Sequence, residues 1–307
     1  MKSPLAIIPV LLWVFAISSC QQAAQETACD ISWDTISFHQ EGSEQQIARI
    51  DYKIDIVIPK SDVNEALTSI RQQLLAQLFS YPLSSDDETD FVALDLSNAL
   101  ECLDHYVEYN QRDWLNAAAY HEATRPGNDE TKRSRILRTE QTPWSTWTCY
   151  MPWSDAIELR PFLVDDAFVT FILNKSSFTG GAHGDYSTTY LTFDTQTGDP
   201  IYDTDLFQGG TEGELSHLLR ASLVNYCENY ADLAHDTDDI LDTADFWIEN
   251  LLPNSNFFLT PDSIYYTFNV HEIAPYCCGC HTFGFSAQEA KPYLNRQSIA
   301  YKYWKFD

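Results

Sequence analysis

The sequence predicts an α+β protein, with antiparallel sheets and helices packed on one face, in two related or intimately packed subdomains. Three observations carry this. Residues 47–60, IARIDYKIDIVIPK, alternate Ile50, Tyr52, Ile54, Ile56 and Ile58 with polar neighbours, the period of a half-buried strand. Val63, Leu67, Ile70, Leu74 and Leu78 follow at helical spacing. From Trp144 onward, strand-like and helix-like runs come in blocks rather than in strict βαβ alternation, which favours antiparallel sheet.

The chain opens with MKSPLAIIPVLLWVFAISSC. Lys2 precedes an apolar run from Leu5 to Ile17, which is short of the ~20 residues that cross a bilayer. Ser18 and Ser19 then lead into Cys20. This is the layout of a secretory signal peptide over residues 1–19. Its Ile-Ser-Ser-Cys ending resembles the lipobox of bacterial lipoproteins, so Cys20 is expected to carry lipid and to become the first mature residue. Residues 20–45 are expected to act as a tether. The expected location is the bacterial cell envelope, lipid-anchored and exposed to the periplasm or outside, where disulfides form and persist. The membrane is reached through the lipid anchor only.

Asp62 with Glu65 reads as a capping box opening the helix that contains Leu67 to Leu78. A second helix is expected from about Thr89 to Tyr109, and a polar loop with Pro126-Gly127 over about 117–138. AIELRPFLVDDAFVTFILNKSSF reads as two strands joined near Asp165-Asp166. YSTTYLTFDTQTGDPIYDTDLF reads as a strand, a turn at Thr197-Gly198-Asp199 and a short strand. Thr211 and Glu214 suggest a capping box for a helix to about Tyr230, and a short helix is expected near Asp239–Leu251. FFLTPDSIYYTFN reads as a hairpin turning at Pro261-Asp262-Ser263, and Ser286 with Glu289 as a further capping box.

The whole chain has 18 basic and 45 acidic residues, a net charge of −27. Loss of Lys2 with the signal leaves −28. Phosphate backbones would be repelled, so nucleic acid is not an expected partner. A cationic partner is compatible with this charge, and so is plain solubility.

The tract YYTFNVHEIAPYCCGCHTFGF sets Cys277, Cys278 and Cys280 within four residues, close to His271 and His281. Three readings stand: disulfide half-cystines, unpaired thiols, or a metal or redox site. Apart from Cys20, seven cysteines remain, so at least one lacks an intramolecular partner. No second Cys or His knuckle accompanies the tract, as a zinc site usually requires. No cofactor is expected. His183 lies in TGGAHG, where a glycine-flanked histidine can serve as base or ligand, or can simply occupy a tight turn. The acidic run HDTDDILDTAD fails as an EF loop, because its sixth and twelfth positions from Asp236 are Leu241 and Trp247. The chain has no Gly-x-Ser-x-Gly elbow, His-Glu-x-x-His, phosphate loop or dinucleotide fingerprint.

Three segments together, TGGAHGDYSTTYLTFDTQTGDPIYDTDLF, FFLTPDSIYYTFNVHEIAPYCCGCHTFGF and SAQEAKPYL, resemble a pair of bacterial envelope domains of unknown biochemical function. That pair occurs in the extracellular region of a lysozyme-sensing anti-sigma factor, as a non-catalytic part of some peptidoglycan deacetylases, and in stand-alone lipoproteins. The resemblance implies a deacetylase-associated N-terminal domain over 46–186 and a lysozyme-sensor-like domain over 187–307. It also implies that Gly180, Gly181, His183, Gly184, Asp194, Gly198, Glu272, Pro275 and Tyr276 are turn residues of the family motifs. His271 departs from the family's aromatic residue, and Cys277, Cys278 and Cys280 are additions to it. The chain is expected to be the envelope module alone, without a deacetylase or anti-sigma segment. The expected function is that of a lipid-anchored binding protein recognising a cationic lysozyme-like protein or a cell-wall component. The alternative is an envelope hydrolase using His183 and a nearby carboxylate.

Overall fold

The computed structural model describes residues 31–44, 48–60, 64–79, 98–110, 153–180, 182–230, 246–247 and 251–306. It is an α+β fold with a six-stranded and a three-stranded sheet. The first sheet runs in sequence order: β1 (Trp33–Glu44), β2 (Ala48–Pro59), β3 (Trp153–Val164), β4 (Phe168–Phe178), β5 (Asp185–Asp194) and β6 (Pro200–Ile201). Its neighbours are antiparallel except β2 and β3, which are parallel. That exception follows from the connection between them, which carries two helices and so has the length a parallel crossover needs.

These helices are α1 (Glu65–Phe79) and α2 (99–110). Asn64 caps α1: its Oδ1 accepts from Leu67 N at 2.8 Å, and Glu65 is the first helical residue, while Asp62 lies outside the described residues. Both helices cover one face of the sheet. Tyr52, Ile54, Ile56 and Ile58 pack there with Leu67, Ile70, Leu74, Leu78, Cys102, Leu103, Leu159 and Phe171. Each such aliphatic side chain contributes roughly 1.5–3 kcal/mol by leaving water. Arg71 is buried among them. Its Nη1 donates to Asp34 Oδ2 at 2.7 Å and to the Pro59 carbonyl at 2.8 Å.

Two expectations change here. The tether expected over 20–45 is, from Trp33 to Glu44, the edge strand β1, paired along its whole length with β2. The domain boundary expected at 186/187 falls inside the first sheet, because β5 and β6 hydrogen-bond onto β4 and extend that sheet to Ile201.

The second unit is built on β7 (Phe257–Leu259), β8 (Ser263–Phe268) and β9 (His281–Ser286), an antiparallel meander. The long helix α3 (Glu212–Tyr230) packs on it through Leu215, Leu219, Leu223 and Cys227. Ser286 and Glu289 form the expected reciprocal capping box. An isolated bridge between Phe207 and Leu294 ties the C-terminal turns to the start of this unit. No helix among the described residues is long and apolar enough to cross a membrane. Cys20, Cys29, Cys149, Gly181, the loop of 117–138 and the acidic run of 235–245 lie outside the described residues.

Candidate functional site

At one end of the first sheet, strand pairing sets a row of polar residues side by side. Tyr52 on β2 pairs with Asp155 on β3, Asp155 with Ser177 on β4, and Ser177 with Asp185 on β5. Paired residues share a face, so this row lies on the helix-covered side. Lys175 lies on that face two residues inward along β4, and α2 contributes Tyr106.

The Tyr106 hydroxyl donates to Asp155 Oδ2. Burial pushes the Asp155 pKa up, while the Tyr106 hydrogen bond and the Lys175 charge pull it back down. Burial pushes Lys175 down, and the Asp155 charge offsets part of this. The Lys175 ammonium donates to the Gln77 carbonyl in the last turn of α1 at 3.3 Å. Tyr52 is 1% exposed, and its hydroxyl has no hydrogen-bond partner. Burial first, then the Asp155 charge, raises its pKa. The cluster therefore pairs an amine with a carboxylate and adds two phenols, one of them unsatisfied. Asp155 and Lys175 are half-buried, whereas the Tyr52 hydroxyl is sealed from solvent.

The motif residues converge at the same end. His183 stacks on Tyr276 with ring centroids 3.8 Å apart and 23° between planes. The Tyr276 hydroxyl donates to the Gly184 carbonyl at 2.6 Å, and His183 Nδ1 lies 3.1 Å from that oxygen. Gly184 itself has no room for a side chain, since a Cβ would sit 2.7 Å from the Ser177 carbonyl oxygen. Tyr186 meets Tyr276 edge-on at 5.8 Å, and His271 flanks it at 5.6 Å. His271 holds a positive φ of 65°, and Glu272 Oε2 accepts from Asn269 N at 3.0 Å. Pro275 precedes the 3-10 turn of Tyr276–Cys278.

That turn sets the fate of the cysteines. Cys277 and Cys278 project into solvent, and Cys280 turns back so that its thiol donates to Asn269 Oδ1 at 3.7 Å. Burial raises the Cys280 pKa, which disfavours the thiolate. Cys277, Cys278 and Cys280 form no disulfide with one another or with another described cysteine, and Cys29 and Cys149 lie outside the described residues. Among the described residues no three His, Cys, Asp or Glu side chains converge as metal ligands.

Two asparagines join the units here. Asn269 Oδ1 accepts from Thr188 N at 2.8 Å. Asn256 Oδ1 accepts from Tyr190 N at 2.7 Å, and its Nδ2 donates to the Thr188 carbonyl at 2.8 Å. These amides occupy the stretch of β5 edge that the two-residue β6 leaves open, and so protect it from strand addition.

Asp194 and Gly198 stand apart, at the other end of ten-residue β5, roughly 30 Å away. Asp194 Oδ1 accepts from Gln196 N and Thr197 N, an Asx turn. Gly198 has φ 79°, and a Cβ there would lie 2.5 Å from the Ala66 carbonyl oxygen. The structure thus brings Gly180, His183, Gly184, Glu272, Pro275, Tyr276 and the three cysteines together, and leaves Asp194 and Gly198 as a distant brace. Sequence reasoning missed Tyr106, Asp155 and Lys175. Their separation along the chain offers no local spacing, and only strand register unites them with Tyr52.

Residues 204–286 match the family described as "Protein of unknown function (DUF3298)". No curated protein matches. Two solved structures of DUF3298 family proteins are similar in fold. One, from Bacteroides fragilis NCTC 9343, has a TM-score of 0.67 and 18% identity, covering 90% of this chain and 98% of that one. The other, from Pseudomonas aeruginosa PAO1, has a TM-score of 0.53 and 14% identity, covering 87% and 96%. At such identities the likeness shows the fold alone, so the chain shares an architecture with solved DUF3298 proteins and matches that family in sequence over 204–286.

Proposed function

We propose that the protein is a lipid-anchored envelope protein that binds a component of its surroundings, either a cell-wall fragment or a cationic lysozyme-like protein. One observation carries the reading. The motif groups best suited to catalysis are engaged in architecture: His183 lies flat on Tyr276, and the Tyr276 hydroxyl serves the Gly184 carbonyl. A general base needs its nitrogen within reach of the proton it takes, and a stacked ring that also lies against its neighbour's carbonyl is a poor candidate. The signal-like start ending at Cys20 supports the anchor, and the net charge of −27 supports attraction of cations.

The test has three arms. Full-length protein in detergent is used to capture envelope proteins and wall fragments, and a reproducible partner is expected. Titration with a lysozyme-type protein at low and moderate salt separates the cationic candidate, whose association should slow as salt screens the charges. Turnover of a wall-derived substrate that His183→Ala abolishes, with the fold retained, would replace binding by hydrolysis.

A further inference from the structure

The face of the first sheet turned away from α1 and α2 is open to solvent among the described residues. Ser37, Lys53, Glu158 and Ser176, one on each strand from β1 to β4, are exposed there. One corner of this face is aromatic. Arg160 on β3, Ile172 on β4 and Tyr190 on β5 pair in one row, and Glu158, Asn174 and Thr188 pair in the next. Just past Arg160 the register of β3 slips between Pro161 and Leu163, and Phe162 is the extra residue of this bulge. A bulge re-aims the side chain it adds. Here it sets the Phe162 ring edge-on to Tyr190 at 5.1 Å and to Phe258 at 4.9 Å, with Phe162 still 44% exposed. Phe258 and Tyr265 pair across β7 and β8, alternating with the residues that pack under α3, and their rings stack at 5.2 Å with 16° between planes.

Polar groups continue from these rings. Asn174 Nδ2 donates to Glu158 Oε2 at 3.2 Å, and Thr188 Oγ1 donates to Asn174 Oδ1 at 2.9 Å. Arg160 Nε lies 3.8 Å from Glu158 Oε1, and the two side chains are 58% and 51% exposed. Burial raises the Tyr190 pKa and the Arg160 charge offsets part of that rise, so the guanidinium stands near the Tyr190 phenol. Guanidinium, carboxylate and carboxamide are planar groups that give or take two hydrogen bonds side by side. Their rows lie roughly 7 Å apart along the strands, one beside the Phe162 ring and one beyond it.

We propose that this open face binds a neutral, β-linked chain of pyranose sugars, with Phe162 as the stacking anchor and Arg160, Glu158 and Asn174 as the groups that meet its hydroxyls. The proposal rests on the binding reading above and takes up its cell-wall candidate. A pyranose ring is amphipathic: its faces carry C–H groups and its edge carries adjacent hydroxyls. The C–H face matches the negative face of an aromatic ring. Adjacent hydroxyls match a planar side chain with paired donors or acceptors. A β-linked chain is a flat ribbon, and so fits an exposed sheet face better than a coiled α-linked chain does.

Charge speaks against a cationic protein at this place. The chain as a whole carries −27. Among the described side chains of this face, Lys53 and Arg160 stand against Asp51, Asp55 and Glu158, and His39 lies 3.0 Å from Asp51. A nearly balanced face gives a cationic protein little steering, and an uncharged glycan adds no ion to it.

The experiment titrates full-length protein, in a detergent without a sugar headgroup, with cellotetraose, the β-linked tetrasaccharide of N-acetylglucosamine, and α-linked maltotetraose. Binding of a β-linked probe and weaker or no binding of maltotetraose is the expected result. Binding of the N-acetylated probe alone identifies amino sugars as the source, binding of cellotetraose alone identifies plain hexoses, and binding of both supports the shared chemistry. Phe162→Ala should weaken binding roughly three- to tenfold, the value of one stacked aromatic ring, and Phe162→Tyr should bind like the parent. Arg160→Ala, at an exposed side chain whose loss leaves the fold intact, should weaken it by a similar factor. Leu100→Ala, at an exposed side chain of α2 on the other side of the sheet, should change nothing. The proposal is overturned if neither β-linked probe binds at millimolar concentration, if maltotetraose binds as tightly, or if either the Phe162→Ala or the Arg160→Ala protein, folded, binds like the parent. It is also overturned if no sugar binds and Phe162→Ala instead abolishes binding of a lysozyme-type protein, which would make the face a protein interface. In each of these cases the envelope-binding reading stands or falls separately, because partner capture is scored independently.

Discussion

The two ends of the first sheet carry comparable numbers of polar groups and treat them differently. At the end where β2 stops and β5 turns into β6, almost every such group is paired. Arg71 Nη1 reaches Asp34 and the Pro59 carbonyl, while its buried Nε has no partner. Asp194 holds its own turn, Thr195 Oγ donates to the Asp166 carbonyl, and Gln73 Nε2 donates to the Gly198 carbonyl. At the other end, Tyr52 keeps an empty hydroxyl, Lys175 is only partly engaged, and Asp155 is held near Lys175 without a direct ion pair. One end is braced almost throughout, and the other keeps polar groups without partners.

The sharpest way to break this contrast is to insert a methyl group at the glycine of each turn. Gly198→Ala puts a Cβ 2.5 Å from the Ala66 carbonyl oxygen at a φ of 79°, and should cost on the order of 3 kcal/mol or more. Gly180 at the opposite turn has φ 99° but nothing within 4 Å of a Cβ, so Gly180→Ala should cost about 1 kcal/mol. Denaturant midpoints of the two variants, at equal m-values, give the comparison directly. Equal losses would show that both turns are tightly braced.

Asp34→Ala comes next. It leaves the Arg71 guanidinium buried with only the Pro59 carbonyl, and should cost about 1.5–3 kcal/mol. A loss below 0.5 kcal/mol in the same denaturant assay would reduce Arg71–Asp34 to an ordinary surface pair.

Much of the braced end was legible in the sequence, and little of the open one. The alternation of Ile50 to Ile58 placed Tyr52 on the buried face, and the Asp194–Gly198 turn followed from its residue types. The edge strand β1 escaped notice because only Ile36 and Phe38 alternate cleanly before Gln40 breaks the pattern, as an edge strand with one weakly covered face allows. The subdomain boundary at 186/187 is what the family resemblance implies, with the glycine turn closing the first domain, whereas hydrogen bonding carries the sheet on to Ile201. The open-end cluster draws Tyr52, Tyr106, Asp155 and Lys175 from four elements, and a parallel crossover supplies the register between the first and third. No window of sequence holds that information.

A smaller effect is expected from His281, at the start of β9. It is 6% exposed, with neither ring nitrogen bonded, and sits edge-on to Phe246 at 4.9 Å and to Tyr226 at 5.9 Å. Burial lowers its pKa. The unfolded chain therefore takes up this proton more readily than the folded one as pH falls below about 6.5. Stability from this group is complete above that pH and declines below it, by at most about 1.4 kcal/mol per pH unit. His281→Phe should lose that dependence, so the stability difference between parent and variant should drift in favour of the variant from pH 7 to pH 5. Parallel pH profiles of the two would show that His281 finds a partner when protonated.

The smallest expected change is also the most telling. Removing a hydroxyl from a buried tyrosine usually costs a hydrogen bond, about 1 kcal/mol. Tyr52 has no such bond to lose. Phenylalanine keeps the ring in the core among Ile54, Leu74 and Ile157 and removes a desolvated polar atom beside Asp155. Tyr52→Phe should therefore melt at the parent's temperature or slightly above it, when no ligand is present. The same substitution at Tyr106, whose hydroxyl bonds Asp155, should lower the midpoint, because a partly buried carboxylate loses a donor. Opposite signs at two tyrosines that flank one carboxylate would locate the unsatisfied donor at Tyr52. A loss of 1 kcal/mol or more in Tyr52→Phe would mean that its hydroxyl is already satisfied in the resting protein, and the open end would then be as closed as the other.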